Sequence, residues 1–262
     1  MYFKKYSPNY LPLIFWRTRV IIFYIAVALL SLVVWPILAI MYLVGTHYDN
    51  KYAIAKRYSE IFIWLGEIIC GLKYEVIGLE KLPQTPAVFM ANHQSFWENV
   101  FMQLIVPKHS WVIKKELFNI PLFGWGLKMM DPIAVDRKDI VSLTRILKEG
   151  QKKIKQGLSL IIFPESTRVL PHQNKRYKPS AIKLAMEAKV PVVLMAHNAG
   201  VYWPKSFWIR KPGTITVEIL SVIPPENLAN ADVREVTEKI EHVINTSKNT
   251  LARNRAVPGF VG

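Results

Sequence analysis

Ala87-Val88-Phe89-Met90-Ala91-Asn92-His93-Gln94-Ser95-Phe96-Trp97-Glu98 is the stretch on which the fold turns. A short apolar run gives way to polar residues and then to a helical pattern, which predicts a buried strand followed by a loop and a helix. The strand ends at Ala91, so Asn92 and His93 fall at its carboxyl end, the edge where open α/β sheets gather ligands. On one regular helix, positions five apart point about 140° apart. His93 is therefore placed in the loop, and Glu98 in the first turn of a helix starting near Ser95. Two readings of Glu98 fit. A histidine backed by a carboxylate is a base able to take a proton from a hydroxyl near neutral pH. Ser95-x-x-Glu98 is also a capping box, with Glu98 reaching back to the Ser95 amide.

Outward from this stretch, Tyr74 to Ile77, Trp111 to Ile113, Ile133 to Val135, Leu158 to Phe163, Val190 to Ala196 and Thr214 to Val222 read as further strands. Helical patterns cover Asp139 to Gln156, Ser180 to Ala188 and Asp232 to Arg253. The alternation predicts an α/β fold, a mostly parallel or mixed sheet covered by helices. Strand order is not readable from these patterns.

The front end differs. Val20 to Thr46 holds no Lys, Arg, Asp or Glu. A bilayer core needs about 20 apolar residues, whereas a cleaved signal has an apolar stretch of about 7 to 15. The expectation is an N-terminal hydrophobic helical membrane anchor, residues 1–72, ahead of an α/β domain, residues 73–262. The anchor comprises an apolar helix over 20–44 and an amphipathic helix over 58–72. Ile61, Trp64, Leu65, Ile68, Ile69 and Leu72 form the stripe of the second helix, which either packs on the core or lies among headgroups. Lys4, Lys5, Arg17 and Arg19 precede the apolar run; Lys51, Lys56 and Arg57 follow it. Such flanks favour the cytoplasmic face on both sides, with the chain bending back near Pro36.

The chain carries 34 Lys and Arg against 19 Asp and Glu, a formal charge of +15, with a mean hydropathy of +0.17. That surplus favours anionic partners. Trp203, Phe207 and Trp208 beside Lys205, Arg210 and Lys211 fit a membrane with anionic lipids, or a packed loop. The apolar leader and the lack of a nucleic-acid motif argue against nucleic acid. Cys70 is the single cysteine, so no disulfide framework and no Cys-based zinc site is expected. The histidines show no metal-binding spacing, and no metal is expected.

Asn92-His93-Gln94-Ser95-Phe96-Trp97-Glu98 resembles the first motif of the glycerophospholipid acyltransferase family: Asn-His, four residues, then Asp, here Glu98. Phe163-Pro164-Glu165-Ser166-Thr167-Arg168 is similar to its third motif, with Ser166 in the usual place of glycine. Lys114-Lys115-Glu116-Leu117 with Pro121-Leu122-Phe123-Gly124 resembles the second, and Asp136-Arg137 a further acceptor-binding stretch. Val190-Pro191-Val192-Val193-Leu194 resembles the fourth. In Tyr177-Lys178-Pro179-Ser180-Ala181, Ser180 and Ala181 replace two family glycines. The resemblance runs from about residue 73 to 222.

It implies that His93 is the general base and Glu98 its partner. Arg168 and Arg137 would contact an acceptor's phosphate, Lys114 or Lys115 would help, and Glu165 would meet the glycerol part or organise the loop. It further implies no bound cofactor, with acyl-CoA or acyl carrier protein as donor. The acceptor would be the sn-2 hydroxyl of 1-acyl-sn-glycerol-3-phosphate, and the product phosphatidic acid for phospholipid biosynthesis, at a bacterial inner membrane. Two alternatives stay open at this level. One is another acceptor: glycerol-3-phosphate, another lysophospholipid or a lyso-aminolipid. The other is a non-catalytic lipid-binding protein.

Overall fold

A computed structural model describes residues 10–119, 123–136 and 141–254. Its centre is a seven-stranded sheet: β1 (Leu72–Ile77), β2 (Val88–Ala91), β3 (His109–Lys114), β4 (Ile133–Val135), β5 (Ser159–Ile162), β6 (Val192–His197) and β7 (Gly213–Ile223). The order is β1-β7-β6-β2-β5-β3-β4. Only β6 and β7 pair antiparallel; every other neighbour is parallel. The sheet is therefore mixed, as the alternation predicts, and its order is the part the sequence pattern lacked.

Side chains on a strand alternate between faces, and β2 shows the consequence. Phe89 and Ala91 join one buried cluster, Val88 and Met90 the other. The first cluster packs under α1 (Tyr10–Leu43), α2 (Tyr48–Cys70) and α3 (Trp97–Ile105). The second packs under α5 (Val141–Lys155), α6 (Ser180–Ala188) and α8 (Val233–Asn254). Among the described residues there are two shorter helices as well, α4 (Phe123–Met129) and α7 (Ala199–Tyr202). With both faces covered, β2, β5 and β6 are buried along their whole length and apolar except for Ser159 and His197 at strand ends, as expected of buried parallel strands.

The predicted bend near Pro36 is not found. α1 runs unbroken through Pro36 to Leu43, and the chain reverses at Val44–His47 instead. A mid-helix proline forfeits one backbone hydrogen bond, but neighbours hold this segment. Trp35 stands edge-on to Tyr58, Ser31 hydrogen-bonds Tyr58, and the Trp35 ring lies against Gly126 of α4. The second helix also starts ten residues before the predicted 58, with His47 at its N-cap and Gly71 in the left-handed conformation at its end. That early stretch is anchored by Tyr48 and Tyr52, whose hydroxyls donate to the carbonyls of His109 and Val106.

α1 is long and apolar enough to cross a membrane: within Leu13–Leu43, an 18-residue stretch reaches a mean hydropathy of 2.7. It nonetheless lies along the domain. Trp16 donates to the Ile209 carbonyl, Tyr24 stacks on Phe207, and Arg19 donates to the carbonyls of Ile68 and Ile69 at the end of α2. Its other side is a row of exposed apolar residues, including Ile22, Ile25, Leu29, Leu32, Val33 and Ile40.

Candidate active site

The register brings the candidate residues to one edge. Ala91 pairs with Met195, Met90 with Ile162, Trp111 with Ile161 and Lys114 with Val135. Continued past the strand ends, this aligns His197, His93, Glu165, Lys115 and Asp136 along the carboxyl edge of five parallel strands. Arg137 lies outside the described residues, as do Pro121 and Leu122 of the second motif.

Glu98 occupies the first turn of α3 and is 1% exposed. Its Oε1 atom accepts hydrogen bonds from the Gln94 N–H (2.8 Å) and the Ser95 N–H (2.8 Å) and lies 2.9 Å from His93 Nδ1. The capping and base-orienting readings thus describe one oxygen. Ser95 Oγ accepts from the Trp97 N–H, completing a variant of the box. A carboxylate only accepts, so Nδ1 carries the proton and Nε2 offers its lone pair. The His93 side chain is 16% exposed, and Nε2 makes no hydrogen bond among the described residues. Burial works to raise the Glu98 carboxyl, but His197, then His93 and the Ser95 amide, outweigh it and hold it below the usual carboxylate range. The ring itself stacks on Phe163 (centroids 4.2 Å apart), which stacks in turn on Trp111.

The third motif closes on the same loop. Pro164 and Glu165 are the corner of a turn in which the Ser166 N–H donates to the Phe163 carbonyl. Glu165 Oε2 accepts the His93 N–H at 2.7 Å, and the Val169 N–H donates to the His93 carbonyl at 2.8 Å. Arg168 therefore stands one residue from a direct bond to the base's backbone, and it has no ion pair or hydrogen bond of its own among the described residues. Glu165 is 1% exposed and burial raises its carboxyl to about 8. That position fits a loop organiser better than a contact for an open substrate.

The family's two departures from glycine differ physically. Ser180 and Ala181 open α6 in ordinary helical geometry, so no glycine is required. Ser166 has φ 61°, in the left-handed region where a side chain is strained. Ser166→Gly is expected to raise stability by up to about 1 kcal/mol, shifting the melting temperature upward by about 2–4 °C. Thermal denaturation checks it, and a lowered midpoint would contradict the strain argument.

Lys114 ends β3, half exposed and paired with Glu116, and Lys115 is exposed at the start of the following 3-10 turn. The fourth motif is buried: Val192, Val193 and Leu194 are at most 2% exposed, in the core rather than lining a groove. It bears on the site through the next residues. His197 N–H donates to Asn92 Oδ1 (2.9 Å), Asn92 Nδ2 donates to the His197 carbonyl (3.0 Å), and His197 Nε2 lies 2.7 Å from the Asn92 carbonyl. This pair locks the ends of β2 and β6 together just before His93. Burial lowers the His197 pKa, and its Nδ1 accepts the Ala199 N–H, so the proton sits on Nε2 facing Asn92. Sequence reading left His197 without a role; its only signal was a polar residue closing an apolar strand. Gln94 is fixed by Gly200, whose N–H donates to Gln94 Oε1 and whose missing side chain would meet Gln94 Cβ at 2.8 Å.

The covered mixed sheet thus carries an oriented imidazole at its carboxyl edge, with Arg168, unpaired among the described residues, on the adjoining loop. Comparison with known proteins supplies the family. Residues 73–198 match the family described as Acyltransferase. The chain is 35% identical over 225 residues to 1-acyl-sn-glycerol-3-phosphate acyltransferase of Pseudomonas aeruginosa, covering 85% of this chain and 87% of that protein. It is 28% identical to the Saccharomyces cerevisiae protein of the same name, covering 72% of this chain and 65% of that one. In fold it matches the crystal structure of the 1-acyl-sn-glycerophosphate acyltransferase PlsC from Thermotoga maritima, with a TM-score of 0.65, 21% identity, and 91% and 100% of the two chains covered. The chain belongs to this glycerophospholipid acyltransferase family, and it is an acyltransferase.

Proposed function

We propose that this enzyme transfers a fatty acyl group from a thioester to the sn-2 hydroxyl of 1-acyl-sn-glycerol-3-phosphate, making phosphatidic acid. The observation that carries the reading is the His93 Nδ1–Glu98 Oε1 pair at 2.9 Å, with Nε2 free of hydrogen bonds among the described residues and Arg168 on the adjoining loop. Nε2 removes the hydroxyl proton as the oxygen attacks the thioester carbonyl. The tetrahedral intermediate collapses, the C–S bond breaks, and the thiolate recovers the proton from the imidazolium. Glu98 fixes the tautomer and offsets the imidazolium charge. The substrate supplies the nucleophile, so none is needed from the protein. The amides of Gln94, Ser95 and Trp97 are already bonded, so they are not the oxyanion's donors.

Arg168 receives the acceptor's phosphate, since a guanidinium forms paired, charge-assisted bonds to phosphate oxygens. Lys114, Lys115 and Arg137 add positive charge. α1 holds the enzyme to a membrane, its exposed apolar side in lipid and its inner side on the domain, with the basic surface on the cytoplasmic face. Acyl-CoA and acyl carrier protein both fit as donors, and a parallel assay separates them.

Hydrogen bonds to charged groups contribute about 1.5–3 kcal/mol. Arg168→Ala should therefore lower kcat/KM for lysophosphatidic acid by about 10- to 100-fold, with the thioester KM within about twofold of wild type. Steady-state kinetics with each substrate varied in turn decides this. An equal loss for acceptor and donor would remove Arg168 from the phosphate site.

A further inference from the structure

Lys248 lies on α8, beyond the residues that match the family, and is 0% exposed. A buried ammonium is costly and is weak evidence for stability as such, so its presence asks for another account. Its Nζ donates to the Gln173 carbonyl (2.8 Å) and to Asn174 Oδ1 (2.9 Å). Both belong to the segment after the third motif. α8 grips that segment at two further points: Glu241 Oε2 accepts the Tyr177 N–H at 2.7 Å, and Glu238 pairs with Arg176. The segment then returns under the motif, where the Lys178 N–H donates to the Pro164 carbonyl at 3.1 Å. At its other end, Glu165 and Val169 bracket the His93 backbone. Hydrogen bonds thus tie α8 to the 163–178 segment, which carries Arg168, and tie that segment in turn to the catalytic loop. Within it, Lys248 is the fully buried cation, and Glu165 Oε1 is a buried atom without a partner.

We propose that Lys248 is a positioning residue for acyl transfer, holding the 163–178 segment so that Arg168 and the His93 loop keep their relative placement. The Lys248 ammonium and the Glu165 carboxyl also act on each other: burial lowers the lysine's pKa, while Glu165 opposes that drop.

This inference rests on the acyl-transfer reading above, so wild-type protein is assayed first. Its failure to acylate lysophosphatidic acid defeats that reading. With wild type active, Lys248→Met keeps the stem's volume and removes the charge. The expected result is a rise in acceptor KM of about tenfold, thioester KM unchanged within twofold, and melting temperature within a few degrees. A merely structural lysine would lower the melting temperature and leave the ratio of the two KM values untouched. Asn174→Ala, on an exposed loop residue, removes one of the two tethers without touching the core and should move the acceptor KM the same way, by about threefold. Should Lys248→Met not fold, Asn174→Ala alone decides. Acceptor and donor KM values that move together, or not at all, overturn the proposal.

Discussion

His93→Ala should lower kcat for acyl transfer by about a hundredfold or more, because general-base catalysis contributes about 10²–10⁴-fold. The structure makes this a clean experiment. The ring is partly exposed, and its contacts are Glu98 and the face of Phe163. The backbone of residue 93, by contrast, is held at both its N–H and its carbonyl by bonds to Glu165 and Val169, and alanine keeps these. Folding and membrane binding should therefore survive, as circular dichroism and vesicle flotation would show. Turnover within twofold of wild type would remove His93 from the chemistry.

Glu98→Gln should also cost about 10²–10⁴-fold in kcat, by the reasoning that applies to the acid of a histidine-based triad. Glutamine's carbonyl can still accept from Gln94 and Ser95, so the loop keeps its cap while the charge opposing the imidazolium is lost. Glu98→Ala is expected to differ. It leaves two buried amide donors unpaired, at about 1–3 kcal/mol each, and so reduces both turnover and melting temperature. Were Glu98→Gln fully active and Glu98→Ala merely unstable, capping would be the whole of its role. The pH dependence has a definite sign. The Glu98 carboxyl is held below its ordinary 4.5, so its pairing stabilises the fold fully above that value and is lost as pH falls through the folded one. Glu98→Gln should flatten that part of the acid limb.

Apolar periodicity placed the elements well. Ile133 to Val135 and Ser180 to Ala188 match the structure at both ends, and the other strands differ by one to three residues at their boundaries. His93 in a loop and Glu98 in a first helical turn followed from helix geometry alone. The missing parts depend on contacts distant in sequence. Nothing local to Pro36 announces that Tyr58 and Gly126 will hold the helix straight. Nothing near Asn92 announces that His197, with three strands between them in the sequence, will close on it. Asp232 to Arg253 was legible as a helix, but Lys248 falls on it as one basic residue among many. Its burial appears only once the 163–178 segment is folded over it. Conversely, the strain at Ser166 was half legible, since a serine in glycine's usual place marks the position, and φ gives the reason.

The central claim is tested most directly by following a labelled acyl chain from acyl-CoA and from acyl carrier protein, using the purified full-length chain in vesicles. Lysophosphatidic acid and its phosphate-free counterpart, monoacylglycerol, are offered side by side. The account predicts labelled phosphatidic acid from at least one donor, with monoacylglycerol slower by at least about tenfold. No transfer to lysophosphatidic acid from either donor, or equal rates for the two acceptors, would contradict it.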